Sequence, residues 1–293
     1  MVSGTSGLDV LEEMVQLRRE LHRHPEVGLD LPVTQSAVRR RLDALDGITV
    51  IEGVGSSSLT VDFANGPGPT LLLRGDMDAL PMQEDTDLDF RSEVDGAMHA
   101  CGHDAHTSML LGALRTLIER REEFSGTVRC MFQPGEEGHE GAQVMIDEGV
   151  LDGVDAAFAL HITPNIPTGW AATRPGPLMA SSDVFRIDVM GRGGHASMPQ
   201  QTHDPVPVAA EIVLGIQTMV TRTLNAFDPA VVTVARIEAG TTTNVIPETA
   251  VMEGTIRAVS EATRTEAAAG IQRVAEGVAA AHGCTAEVKI ELG

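Results

Sequence analysis

An α/β fold in two parts is what this sequence predicts, and three observations carry that expectation. Short β-rich runs alternate with amphipathic stretches over residues 1–181, the pattern of an α/β layer on a largely parallel sheet. From 182 to 293 the order becomes strand, helix, strand, strand, helix, strand. That βαββαβ order is the split-βαβ, ferredoxin-like α+β arrangement and forms a domain of its own. The length, 293 residues with 42% hydrophobic and 22% charged side chains, accommodates two such cores.

The first element is Val10 to Leu21. Its Leu11, Met14, Val15, Leu17 and Leu21 form a helical stripe that stops before Pro25. Thr34 to Leu45 reads as a second helix. SLTVDFA and PTLLLRG are strands divided by the turn NGPGP. Thr107 to Glu122 is an amphipathic helix through Leu110, Leu114, Leu117 and Ile118. The strand TVRCMFQ, a helix near Glu140 to Glu148 and the strand DAAFALHI complete the first part. TRPGPLMASS reads as the linker, because Pro and Gly disfavour helix and strand there. Strand 184–190, helix 205–223, strands 230–238 and 249–258, helix 261–281 and strand 285–291 follow.

Composition narrows the function. With 42 acidic against 21 basic residues, the net charge of -21 argues against nucleic acid or an anionic membrane as partner. No apolar run reaches the ~18 residues of a spanning helix. The opening MVSGTSGLDVLEEMV has neither the basic nor the apolar region of a signal peptide. Cys101, Cys130 and Cys284 are too few and too scattered for a disulfide framework, so a cytoplasmic location is expected. Tyr is absent and Lys289 is the single lysine, which removes a phenolic acid and leaves almost no Schiff-base candidate.

Chemistry collects in MHACGHDAHTSMLLGAL, Met98 to Leu114. His99, Cys101 and His103 alternate, so an extended segment points all three the same way, and His106 follows the turn into a helix. Strand ends supply further groups. TLLLRG runs into Asp76 and Asp78, TVRCMFQ into Glu136 and Glu137, and DAAFAL into His161. In an open α/β sheet such groups meet beyond the carboxyl ends of the strands. Singly, Cys101 reads as a small buried hydrophobe, His161 as a satisfied histidine and Glu136-Glu137 as a solvated pair. Together, Cys, His, Glu and His at one edge match transition-metal ligation, suited to Zn, Mn, Co or Ni rather than Mg or Ca. A thiolate can also bridge two metals. His22 and His24 read as structural, His99 and His106 as supports of the ligand loop, Cys130 and Cys284 as inert. A thiol hydrolase with Cys101 as nucleophile and His103 as base competes with this reading. It leaves Glu136, Glu137 and His161 without a role.

The motifs LHRHPEVG, RGDMDALPM, MHACGHDAHT, FQPGEEG, LHI, GGHASMP and TTTNVIPETAVMEGTIR run in order over nearly the whole chain. They resemble the M20 metallopeptidase family, more narrowly its amidohydrolase branch of hippurate hydrolases, N-acyl-amino-acid amidohydrolases and indole-acetyl-amino-acid hydrolases. The resemblance implies a metal-dependent amidohydrolase that cleaves N-acyl amino acids or related small amides, with two divalent metals (Mn, Zn, Co or Ni) per subunit. Cys101 would bridge them, with His103, Glu137 and His161 as further ligands. Glu136 would be the general base that takes a proton from water and returns it to the leaving amine. Asp78 would orient a ligand from behind. In the wider family the position of Asp76 is usually a ligand histidine, so this chain follows the Cys-containing branch.

Residues 1–181 would then be the catalytic domain and 182–293 an inserted dimerisation, or lid, domain. His195 in GRGGHAS resembles a histidine that reaches across a homodimer to the oxyanion. Asn244 in TTNVIP resembles a substrate-contacting asparagine. Without the resemblance these are a glycine-loop residue and a turn residue. GRGGHA also fits a dinucleotide pattern, but Pro199 soon follows and no helix opens from the loop. Family members normally return to the catalytic domain with one more ligand histidine, whereas EVKIELG closes the small domain. The alternative expectation is therefore a truncated, catalytically weak or inactive metal-binding dimeric homologue.

Overall fold

The structure, a computed structural model, describes residues 7–293. The first six residues, where the reading of no signal peptide begins, lie outside the described residues. The chain divides into two compact units, one up to Thr168 and one from Gly169 onward. The division thus precedes the Pro/Gly-rich stretch at 173–182 instead of following it.

The first unit begins with helices α1 (Gly7–Arg23) and α2 (Pro32–Leu42). Pro32 opens α2 two residues ahead of the predicted start, since its fixed φ suits a first helical turn. Strands β1 (Ile48–Glu52), β2 (Leu59–Asn65) and β3 (Thr70–Asp76) follow. Helix α3 (His103–Glu119), strand β4 (Gly126–Gln133), helix α4 (Gly141–Asp147) and strand β5 (Ala156–Ala159) complete it. The sheet order is β1-β2-β4-β3-β5.

This sheet is mixed, which corrects the expected largely parallel one. β3 runs parallel to β4 and to β5, but β2 is antiparallel to both β1 and β4. The antiparallel pairings are those of β2, with β4 on one side and, on the other, with β1, an unpredicted strand in which Ile48 and Val50 pack toward the core while Thr49 and Ile51 are exposed. The three mutually parallel strands, β4, β3 and β5, still send their carboxyl ends to one edge.

At its centre the sheet is covered on both faces. Val128, Cys130 and Phe132 of β4 pack with Leu17 and Leu21 of α1, Val38 of α2 and Leu110, Leu114 and Ile118 of α3. On the other face Met131 joins Leu72, Met145 and Val150. Alternate β4 residues serve opposite layers, as the pleat requires.

The second unit contains β6 (Asp183–Met190), β7 (Gly194–His195), α5 (Pro205–Arg222), β8 (Ala230–Ala239), β9 (Val245–Ile246), β10 (Thr249–Ala258), α6 (Glu261–Ala281) and β11 (Thr285–Glu291). Its main sheet has the order β11-β6-β10-β8, antiparallel throughout. Leaving aside the short β7–β9 pair, this is the expected βαββαβ arrangement. Phe185, Ile187 and Val189 of β6 and Met252 of β10 pack under Ile212 and Ile216 of α5 and Ile271 and Ala275 of α6. The opposite face carries Arg186, Asp188, Glu253 and Arg236 in an ion-pair row. No helix among the described residues is long and apolar enough to cross a membrane.

Candidate metal centre

The parallel strand ends assemble the site in the first unit. β3 delivers Asp76 and, two residues on, Asp78. β4 turns at Gly135 (φ 64), a left-handed conformation that glycine adopts without strain, and presents Glu136 and Glu137. β5 leads to His161. Gly102 (φ 86) ends the preceding loop and lets α3 start at His103.

That turn corrects the expected alternation of His99, Cys101 and His103. His103 lies in the helix, not in an extended segment, so the three do not share one direction. His99 is buried with neither ring nitrogen hydrogen-bonded, beside His22 at 6.3 Å between ring centroids. Burial lowers its pKa to about 4. It takes no part in the cluster.

Cys101, His103 and His161 bring one ligand atom each to within 4.8 Å of one another, and so do His103, Glu136 and Glu137. Cys101 Sγ lies 3.3 Å from His161 Nε2. His103 Nε2 is 3.8 Å from Glu136 Oε2 and 4.0 Å from Glu137 Oε1. Asp78 stands behind them. Its carbonyl oxygen accepts from His103 Nδ1 at 2.8 Å, and its Oδ2 accepts the Glu137 backbone N–H at 3.0 Å.

These bonds fix tautomers. A carbonyl oxygen only accepts, so His103 Nδ1 carries the hydrogen and Nε2 keeps its lone pair. His161 is arranged alike, donating from Nδ1 to the Ile162 carbonyl at 2.6 Å. His103 Nε2 is buried and has no hydrogen-bond partner. A buried acceptor of this kind calls for a proton or a metal ion. Burial would lower the His103 pKa, but Asp78, Asp76 and Glu136 outweigh it and raise it. Burial, together with Glu137, Glu136 and Asp76, pushes the Cys101 thiol up to about 12. A thiolate at neutral pH therefore needs a cation beside it. Sulfur, imidazole and carboxylate donors around an uncompensated negative charge fit a divalent transition metal.

Two neighbours were not assigned as site residues from sequence. Asp76 Oδ1 meets His106 Nδ1 at 2.6 Å, and Arg74 Nη1 lies 2.6 Å from Asp76 Oδ2. Arg74 also donates from Nε to Gln133 Oε1 at 2.8 Å. The signal was the i, i+2 spacing in RGD, which puts Arg74 and Asp76 on one face of β3.

His195 and Asn244 lie in the second unit. The β7–β9 pair brings them together, with His195 opposite Val245 and the Ala196 N–H donating to the Asn244 carbonyl at 3.0 Å. His195 Nδ1 accepts the Ser197 N–H at 3.2 Å, so its exposed Nε2 carries the hydrogen. Asn244 Oδ1 accepts from Thr242 Oγ1 at 3.0 Å, which leaves its amide NH2 as a donor.

The model of peptidase family M20/M25/M40 matches residues 72–288. The N-acetylcysteine deacetylase of Bacillus subtilis (strain 168) is 42% identical over 278 residues, 94% of this chain and 73% of that protein. A crystal structure from methicillin-resistant Staphylococcus aureus has a TM-score of 0.92 and 35% identity, covering 98% of this chain and 77% of that one. The structure of a dinuclear metal-binding M20-family peptidase from Bacillus subtilis has a TM-score of 0.81 and 38% identity, covering 97% and 74%.

Proposed function

Because this chain belongs to peptidase family M20/M25/M40, a family of hydrolytic enzymes, we propose that it cleaves the amide bond of N-acyl amino acids at the Cys101–His103–Glu137–His161 centre. The observation that carries the proposal is the convergence of Cys101 Sγ and the two glutamates with the Nε2 lone pairs of His103, which is buried without a hydrogen-bond partner, and of His161, which faces Cys101 Sγ. Cys101, His103, Glu137 and His161 would hold two divalent ions, of Mn, Zn, Co or Ni. The dinuclear relative and the donor set support that number and that choice. Bound metal supplies Lewis acidity and a water of lowered pKa.

The chain's own groups account for the proton traffic. Burial and the charge of Glu137 raise the Glu136 pKa. A carboxylate so tuned is a stronger base toward water and a willing donor to the departing amine. Glu137 is the more enclosed of the two, and its backbone is tied to Asp78, which suits a ligand. Glu136, 41% exposed at its side chain, has the freedom a shuttle needs. His195, with its hydrogen on Nε2, is in the form that donates to an oxyanion. The Asn244 NH2 is suited to a carboxylate or carbonyl of the substrate. Asp78 fixes His103 and the Glu137 loop relative to each other.

The reading is tested by following amino-acid release from a panel of N-acetyl, N-benzoyl and longer N-acyl amino acids after reconstitution with Mn, Zn, Co or Ni. Release from at least one class is expected, abolished by EDTA. Absence of release from the whole panel, with metal demonstrably bound, contradicts it.

A further inference from the structure

Three imidazoles crowd the centre, and two of them turn Nε2 toward it: that of His103 has no hydrogen-bond partner, and that of His161 faces Cys101 Sγ. The His106 ring lies 5.5 Å from that of His103 and 4.6 Å from that of His161, centroid to centroid. Its Nδ1 meets Asp76 Oδ1 at 2.6 Å, and its Nε2 accepts the backbone N–H of Ile162 at 3.0 Å. Since an amide only donates, His106 carries its hydrogen on Nδ1 and gives it to Asp76. This is the tautomer of His103 and His161, but here the Nε2 lone pair is already used. Asp76 and His106 are 1% and 3% exposed. Arg74 Nη1 on Asp76 Oδ2 and the Thr107 hydroxyl on the Asp76 carbonyl, at 2.7 Å, hold the carboxylate in place.

The segment after β5 needs such an anchor. β5 is a four-residue edge strand, its ladder ends at Ala159, and His161 lies two residues beyond. Apart from the contact of His161 with Cys101, the Ile162 amide bond to His106 is what ties 160–162 to the rest of the unit by hydrogen bonding, among the described residues. The Ile162 side chain also sits over Gly102, where an added Cβ would come within 2.3 Å of its Cδ1.

We infer that Asp76 and His106 form a buried positioning dyad that captures the Ile162 amide and thereby aims His161 at the metal centre, and that His106 is not a ligand. The role rests on the reading of His161 as a ligand; the dyad itself does not. The rival is a metal on Asp76, His103 and His106, whose ligand atoms also lie within 4.8 Å of one another. Such a metal would have to take either the nitrogen that accepts the Ile162 N–H or the one that serves the buried Asp76. Either the Ile162 amide would then be released or a buried carboxylate would lose its partner.

Nitrogen-15 imidazole spectra of the whole chain, recorded metal-free and with Zn2+, test the dyad, with His106 assigned by its absence from H106Q. The expected result is a neutral Nδ1–H tautomer for His106 in both states, with its Nδ1 proton far downfield, while Nε2 of His103 and His161 shifts on adding Zn2+. An Nε2–H tautomer, or an Nε2 that shifts like the other two, overturns the inference. Co2+ titration adds a second readout. H106L should bind the same number of ions at least about tenfold more weakly, with an altered thiolate–Co2+ band. H106Q, whose amide oxygen can accept the Ile162 N–H, should recover part of the loss. A folded H106L with unchanged Co2+ affinity and spectrum would show a merely structural residue and overturn the role. Metal-free spectra with the expected tautomer but no Zn2+ response at His161 would uphold the dyad and overturn the ligand reading and, with it, the aiming role.

Discussion

Glu136 and Glu137 are neighbours in one turn, yet their surroundings separate them. Glu137 is tied through its backbone to Asp78, while Glu136 is freer and has a raised pKa. Glu136→Gln is therefore predicted to keep its metal and to lose turnover by about 10²–10⁴-fold, the usual contribution of a general base. Elemental analysis and an assay on the same sample check this, and a metal-replete variant with full activity would remove Glu136 from the mechanism. At this scale much of the centre was legible, because its donors stand at strand ends and in one Cys/His-rich motif. What sequence could not show was which way His99 turns. The left-handed Gly102 breaks the alternation, and a pattern of side-chain types carries no sign of that φ. Nor could it show that the Nε2 of His106 is occupied by a backbone amide, which is a contact across 56 residues.

Helix and strand positions in the second unit followed closely from periodicity, because β6, β10, α5 and α6 each have one buried and one more exposed face. β10, α6 and β11 match their predicted spans. In the first unit β1 was passed over, since its five residues carry an exposed Ile51 beside the half-buried Val50, and the sheet is mixed because β2 runs antiparallel to both its neighbours, a direction that strand patterning does not carry. A buried ion pair joins two elements of the second unit. Asp183 at the start of β6 receives the guanidinium of Arg264 from α6, with Nε to Oδ2 at 2.8 Å. That hydrogen bond holds the Asp183 carboxyl below its usual range, against the opposing effect of burial. A depressed folded-state pKa stabilises above the unfolded value, about 3.9, and the contribution fades as pH falls from there through the folded value. Asp183→Asn is predicted to lower stability by about 3 kcal/mol near neutral pH. Urea unfolding over a pH series should show the gap to the parent chain narrowing below about pH 4. A gap of constant size down to the acid limit would contradict the linkage.

For the molecule as a whole, the two edges of the second unit's main sheet differ. The β11 edge exposes Glu287, Lys289 and Glu291, charges that discourage strand addition. The β8 edge exposes Val231 and Ile237, 61% and 52% accessible, and Phe227 just before it is 98% accessible. A homodimer made through the second unit, along β8, is predicted; light scattering at micromolar concentration should report twice the mass of 31.0 kDa. A monomer for the parent chain would contradict it, and I237K is expected to weaken the dimer. The central claim, hydrolysis that depends on metal held by Cys101, His103, Glu137 and His161, is tested most directly by one titration. Metal-stripped protein is given Mn, Co or Zn stepwise while bound metal and amino-acid release from the best N-acyl substrate are measured together. The account predicts no turnover in the stripped protein and a rise that follows occupancy to two ions per chain, with C130A behaving like the parent and C101A binding poorly. Undiminished turnover in the stripped protein would contradict it.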